Sequence, residues 1–179
     1  TPGLMPWITS AEDRALLLAA YERYVGAVAD TKARLAPDGA MLMLHTYAPR
    51  TVPVEVDERI VESLHAAYQP AAYAEWPVRP ELDVISRELD GTDHAPTQVV
   101  DALRRTLPGM TIADSASYPL HPSTLAFEHV RAMPGRTLCL EVRRDLLADP
   151  FVPFAEAQIS SDAVDRLAGA LATALRTFW

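Results

Sequence analysis

Two ionisable residues sit where apolar stretches of this chain would otherwise run unbroken, and chemistry is sought there first. Glu141 stands inside Leu138-Cys139-Leu140-Glu141-Val142, and His45 follows Ala40-Met41-Leu42-Met43-Leu44. A carboxylate near the end of a buried strand is unfavourable unless a metal, a basic partner or a substrate compensates it. The carboxyl ends of strands in open α/β sheets are also where ligands bind. The purely structural alternative for Glu141 is an ion pair with Arg143 or Arg144. For His45 the alternatives are a metal ligand and a satisfied histidine at the rim of the core. Further polar groups recur in loops: Arg87-Glu88-Leu89-Asp90-Gly91-Thr92-Asp93-His94, read either as a binding loop or a solvated turn, and Asp114 to Pro122 with Tyr118 and His121.

The elements that would position these groups follow from hydrophobic periodicity and turn chemistry. Pro134-Gly135 is a turn signal, and Leu138 to Val142 reads as a strand covered on both faces. Ser10 with Asp13 resembles a capping box, and Leu17, Ala20, Tyr21, Tyr24, Val25 and Val28 then recur at helical spacing, predicting a long amphipathic helix over 11–35. Pro37-Asp38-Gly39 stops it before a second buried strand at 41–45. A helix is expected from Asp57 towards Tyr68, an irregular connection through Pro70, Pro77 and Pro80, and a strand at 82–86. Pro96 opens a helix ended by Pro108-Gly109, a short strand covers 110–113, and Ser123 or Thr124 caps a helix through Val130. After an apolar loop with Phe151, Val152 and Phe154, Asp162 caps a last helix whose Val164, Leu167, Leu171, Ala174, Leu175 and Phe178 make one core-facing stripe.

The expected fold is α/β: a mainly parallel sheet sandwiched by helices, with His45, Arg87, Tyr118, His121 and Glu141 gathered at one end. With 179 residues, 49% hydrophobic and 22% charged, the chain is read as one globular domain. A net charge of −8, with no Lys/Arg run longer than two, argues against nucleic acid as a partner. Cys139 is the sole cysteine, so an internal disulfide and a Cys-rich zinc site are excluded, and its apolar strand suits a small core residue. No stretch approaches the roughly 18 apolar residues of a membrane span and no signal pattern opens the chain, so a cytoplasmic, membrane-free protein is expected.

Taken in order, the strand ending in His45, Arg79-Pro80-Glu81-Leu82-Asp83, Asp90-Gly91-Thr92 ahead of a helix, the Tyr118-Pro119 loop and Leu138-Cys139-Leu140-Glu141-Val142-Arg143-Arg144-Asp145-Leu146 resemble the N-formylglutamate amidohydrolase family. The match spans about Ser10 to Leu147. The resemblance implies a three-layer fold akin to the zinc carboxypeptidases, with a mainly parallel or mixed sheet. It implies a divalent metal, zinc being expected, held partly by His45, and Glu141 as general base in amide hydrolysis. Arg87, Tyr118, His121 and Arg144 are the candidate substrate-binding residues, with Arg131 another arginine able to hold a substrate carboxylate. The expected substrate is a small anionic N-acyl amino acid, and assembly of identical chains is left open.

The family's earlier metal motif has no counterpart before Ser10, so the remaining ligands are expected ahead of residue 1. The family's glycine-rich segment is here Tyr118-Pro119-Leu120-His121-Pro122-Ser123. The alternative reading is a non-catalytic small-ligand-binding or regulatory protein on the same scaffold.

Overall fold

A computed structural model describes residues 4–96, 98–149 and 152–177. The chain divides into two compact units, Thr1–Met41 and Leu42–Trp179.

The first unit holds helix α1, Ala11–Ala33. Its start is local chemistry: Ser10 Oγ accepts from the Asp13 N–H at 3.2 Å, and Glu12 and Asp13 in the first turn and Lys32 in the last suit the helix dipole. The expected helix forms, but its apolar residues are not segregated to one face and are not buried. No residue of α1 is buried, and Leu17, Tyr21 and Tyr24 are exposed.

Strands β1 (Met41–Tyr47, in the second unit from Leu42 on), β2 (Leu82–Val84), β3 (Ile112–Asp114) and β4 (Thr137–Arg143) form a sheet in the order β1-β4-β2-β3. Strand β2 runs parallel to β3 and antiparallel to β4. The sheet is therefore mixed, where a mainly parallel one was expected from periodicity. The reason lies in the connection to β4. After β3 the chain passes through helix α5, Leu125–Ala132, only eight residues long, and the Pro134-Gly135 turn, and enters β4 beside the end of β2 at which β3 leaves. A parallel partner would need a crossover to the opposite end.

Alternation along β2 and β4 sorts the two faces. Leu82, Val84, Leu138, Leu140 and Val142 form one core with helix α4 (Val99–Thr106) and helix α6 (Ser161–Leu175), through Val99, Leu103, Leu171 and Ala174. Helix α5 packs on β4, and its buried Ala126 and Val130 lie outside that core. Strand β1 departs from its expected full burial. It occupies the sheet edge, and Leu42 and Leu44 are exposed while Met43 and Tyr47 are buried.

Helix α2 (Ile60–Ala67) arises within the expected segment, but Pro70–Glu75 is also helical, as α3, where an irregular connection was expected. Pro70 occupies the first helical turn, where a missing N–H is harmless. The last helix matches its predicted stripe at Leu171, Ala174 and Leu175, whereas Phe151 and Phe178 lie outside the described residues.

Candidate functional site

The antiparallel register of β2 and β4 places Asp83 directly opposite Glu141, on the face turned away from the main core. Two like charges in such a pair repel. The chain resolves half of this conflict. Asp83, fully buried, accepts hydrogen bonds from the Ala116 N–H at 3.1 Å and the Ser117 N–H at 2.6 Å. Glu141 has no such support: its Oε2 is buried and, among the described residues, makes no hydrogen bond. Burial raises the Glu141 pKa above the ordinary glutamate value, and the Asp83 charge adds to the shift, while His45, Arg79 and Arg144 act against it.

The Ala116 and Ser117 bonds also explain how this face is roofed. Strand β3 ends beyond Asp114, and the two backbone N–H groups that Asp83 holds draw the next segment back over the sheet. Tyr118 thereby reaches Arg79, whose guanidinium lies 5.0 Å from the Tyr118 ring centroid and 5.0 Å from that of Tyr47. Arg79 is fixed further by its Nε, which donates to Thr51 Oγ1 at 3.1 Å, and by its backbone N–H, which donates to Pro49 O at 2.9 Å. Tyr47 donates from its hydroxyl to Pro80 O at 2.6 Å. Burial pushes the Tyr47 pKa up to about 12. The neighbouring Ser117 hydroxyl opposes that shift, Asp83 reinforces it, and Arg79 and Glu141 add smaller opposite contributions.

No protein-family model matches the chain, and no curated protein matches it. Among solved structures it is similar to a crystal structure of N-formylglutamate amidohydrolase from Ralstonia eutropha JMP134, at 18% identity and a TM-score of 0.42. That alignment covers 76% of this chain and 41% of the other, so the chain spans well under half of that protein's length.

The residues singled out in the sequence do not all meet here. His45 lies in the interior of β1, exposed, close enough to Glu141 to act on its charge, yet without an ion pair to it. Arg144 opens a short 3-10 turn after β4 and also acts on Glu141; with Asp149 and Gln158 it borders a pocket. Tyr118, 40% exposed, covers Arg79.

Arg87 is elsewhere. It follows the carboxyl end of β2, which the antiparallel register sets against the start of β4, and Glu141 lies near β4's finish. There it pairs with Asp114 at 2.5 Å and Asp93 at 3.5 Å. His121 is held by its own loop, Nδ1 lying 2.7 Å from Ser123 Oγ and accepting from the Ser123 N–H at 3.1 Å. The expected gathering of His45, Arg87, Tyr118, His121 and Glu141 at one strand end is thus corrected, because mixed strand directions separate the loops.

The polar loop after β2 is itself a knit turn. His94 Nε2 lies 2.6 Å from Glu88 Oε1, Arg131 adds a contact to Glu88 at 3.6 Å, and Asp90 Oδ1 accepts from the Thr92 N–H at 2.9 Å. Nor does Glu141 pair with Arg143. That arginine is engaged by Asp145 at 2.8 Å, Glu81 at 3.7 Å and the carbonyl of Arg79 at 3.0 Å. Cys139 is buried, and burial pushes its thiol pKa up to about 12, as suits a core residue.

Asp83, Arg79, Tyr47 and Ser117 were not among the residues selected from sequence. Asp83 carried the same signal as Glu141, a carboxylate interrupting an apolar strand. The others depend on loops meeting across the sheet and leave no local trace.

Among the described residues no three His, Cys, Asp or Glu side chains gather as a metal ion requires. His45 and Glu141 would offer two donors, and Asp83 is already engaged by two backbone N–H groups. A catalytic zinc site takes three protein ligands and an open position. The residues present do not fit a complete centre.

Proposed function

We propose that this face of the sheet belongs to a hydrolase acting on a small N-acyl amino acid or related amide, with Glu141 as general base. The observation that supports it is the buried Oε2 of Glu141 beside Asp83, without a hydrogen-bond partner among the described residues, inside the otherwise apolar run Leu138 to Val142. A carboxylate whose pKa is raised by burial is a better proton acceptor than an ordinary one. Glu141 would take a proton from attacking water and return it to the leaving nitrogen. Polarising the amide carbonyl needs positive charge, and Arg79 and Arg144 are the permanently cationic groups whose fields reach Glu141. Zinc is what the family resemblance implies; His45 would contribute one imidazole to such an ion.

A second reading, a non-catalytic small-ligand-binding protein on the same scaffold, is favoured by the absence of a three-donor cluster among the described residues. Two measurements separate the readings. Elemental analysis of chelator-free wild type and His45→Ala gives metal that falls in the variant on the hydrolase reading with zinc, and no metal in either on the binding-protein reading. An amide-substrate screen is expected to find an activity that Glu141→Gln lowers by about 10²–10⁴-fold with the fold intact. Turnover unaffected by Glu141→Gln would sink the role of Glu141. No turnover of any small N-acyl amino acid, with ligand binding retained, would establish the binding protein instead.

A further inference from the structure

We propose that segment 152–158 is a strap that closes the cavity beside Arg144, latched by the Phe154 ring on His65. The inference concerns access to that cavity and stands whether or not the Glu141 face hydrolyses an amide.

The strap begins in a turn whose third position holds a residue its geometry disfavours. The Ala155 N–H donates to Val152 O at 3.3 Å, with Pro153 second in the turn and Phe154 third, at φ +59°. Proline suits the second position. A third position with positive φ ordinarily takes glycine or asparagine, because a Cβ crowds the backbone there. For a bulky aromatic residue that conformation is strained. Burial within the segment does not offset the strain, since Phe154 is 59% exposed.

The compensation comes from another element. The Phe154 ring stacks on His65 of α2, centroids 4.0 Å apart and planes at 22°, and meets the Tyr68 ring edge-on at 5.5 Å. An aromatic stack of this kind gains about as much as the backbone conformation costs. A contact that only balances its own strain makes and breaks readily, so latched and released states are both populated.

The cavity depends on the latch. It has a volume of about 260 Å³ and is lined by the strap from Val152 to Gln158, with Arg144 and Asp149 the lining residues outside the strap. It is enclosed only while the strap is down. The base of the strap is held differently from its tip. The Asp149 N–H donates to Gln158 O at 3.1 Å, the Ser160 N–H donates to Leu147 O at 2.9 Å, and Ala148 bridges Ile159. A tip held by ring stacking on a base held by backbone hydrogen bonds moves as a flap. Its release opens solvent access to Arg144.

The test is chemical access to Arg144 in the intact protein. Phenylglyoxal modifies arginine side chains, and its rate at Arg144 is read by peptide mass spectrometry against Arg104, on α4, as internal reference. His65→Ala and Phe154→Ala are each expected to raise the rate at Arg144 about three- to tenfold, and the double variant no further, because the two rings make one contact. Phe154→Tyr keeps the ring and is expected to label as wild type does. His65 and Phe154 are both exposed, so these variants keep the fold, with circular dichroism as the control.

Two further readouts separate a flap from general loosening. Amide exchange followed by NMR is expected to quicken at Ala155 in both alanine variants while Asp149 and Ser160 stay protected. Phe154→Gly, which relieves the positive φ, is expected to melt at a higher temperature than Phe154→Ala. Unchanged labelling of Arg144 in His65→Ala, single effects that multiply in the double variant, or Phe154→Tyr labelling like Phe154→Ala would each overturn the latch. Equal loss of protection at base and tip, or a glycine variant no more stable than the alanine one, would overturn the strained flap.

Discussion

Asp83 and Glu141 show how identical chemistry diverges by environment. They are paired across β2 and β4, yet one is held by two backbone N–H groups and the other has a buried oxygen with none. Replacing Asp83 by Asn keeps the shape but offers one acceptor oxygen to two N–H groups. A loss of about 1–3 kcal/mol in unfolding free energy is expected, measured by denaturant titration. A variant as stable as wild type would show that the loop carrying Ser117 does not depend on Asp83. Glu141 gives a prediction in pH. Its folded-state pKa is raised, so the folded chain binds this proton more tightly than the unfolded chain. The resulting stability is present in acid and is lost as pH rises above the ordinary value of 4.5 through the folded pKa. Gln at this position cannot ionise. As pH rises above about 4.5 the melting temperature of wild type is expected to fall relative to that of Glu141→Gln, and parallel curves would contradict the shift.

At the scale of elements, the same amino acid has unequal weight in β1 and β4. Leu140 is completely buried among β2, α4 and α6, whereas Leu44 on the edge strand is 51% exposed. Leu140→Ala is expected to destabilise by about 2–5 kcal/mol, through lost burial and the cavity left behind. Leu44→Thr is expected to change stability by no more than about 0.5 kcal/mol. Chemical denaturation of both variants checks the contrast, and a large loss at Leu44 would mean that β1 is more deeply covered than its exposure shows. The turn that launches β4 is equally specific. Gly135 has φ +71°, a conformation costly for any residue with a Cβ, so the Pro134-Gly135 signal marks a real backbone requirement.

On the scale of the whole molecule, net charge and topology decide different things. With a charge of −8 and no basic cluster, the chain is expected to leave duplex DNA unshifted in an electrophoretic assay even at low salt, where phosphate contacts are strongest. A salt-sensitive shift would reveal a basic surface hidden in the linear order. Among the described residues no helix is long and apolar enough to cross a membrane.

Much of this organisation was legible in the chain itself. Apolar runs located β1, β2 and β4, the Ser10 cap and Gly135 turn marked boundaries, and the interruption at Glu141 pointed to the site, because burial periodicity, capping and φ > 0 are local properties. Strand direction is not local. Whether β4 runs with or against β2 depends on where a short connection re-enters the sheet, and that choice moved Arg87 away from Glu141. The roof over Asp83 likewise joins residues more than thirty positions apart, Asp83 with Ser117 and Arg79 with Tyr47 and Tyr118. Sequence by itself determined the α/β class and the isolated carboxylate at Glu141. Only the tertiary structure decided which charges stand beside it, because Coulomb energy depends on distance through space and carries no trace of separation along the chain.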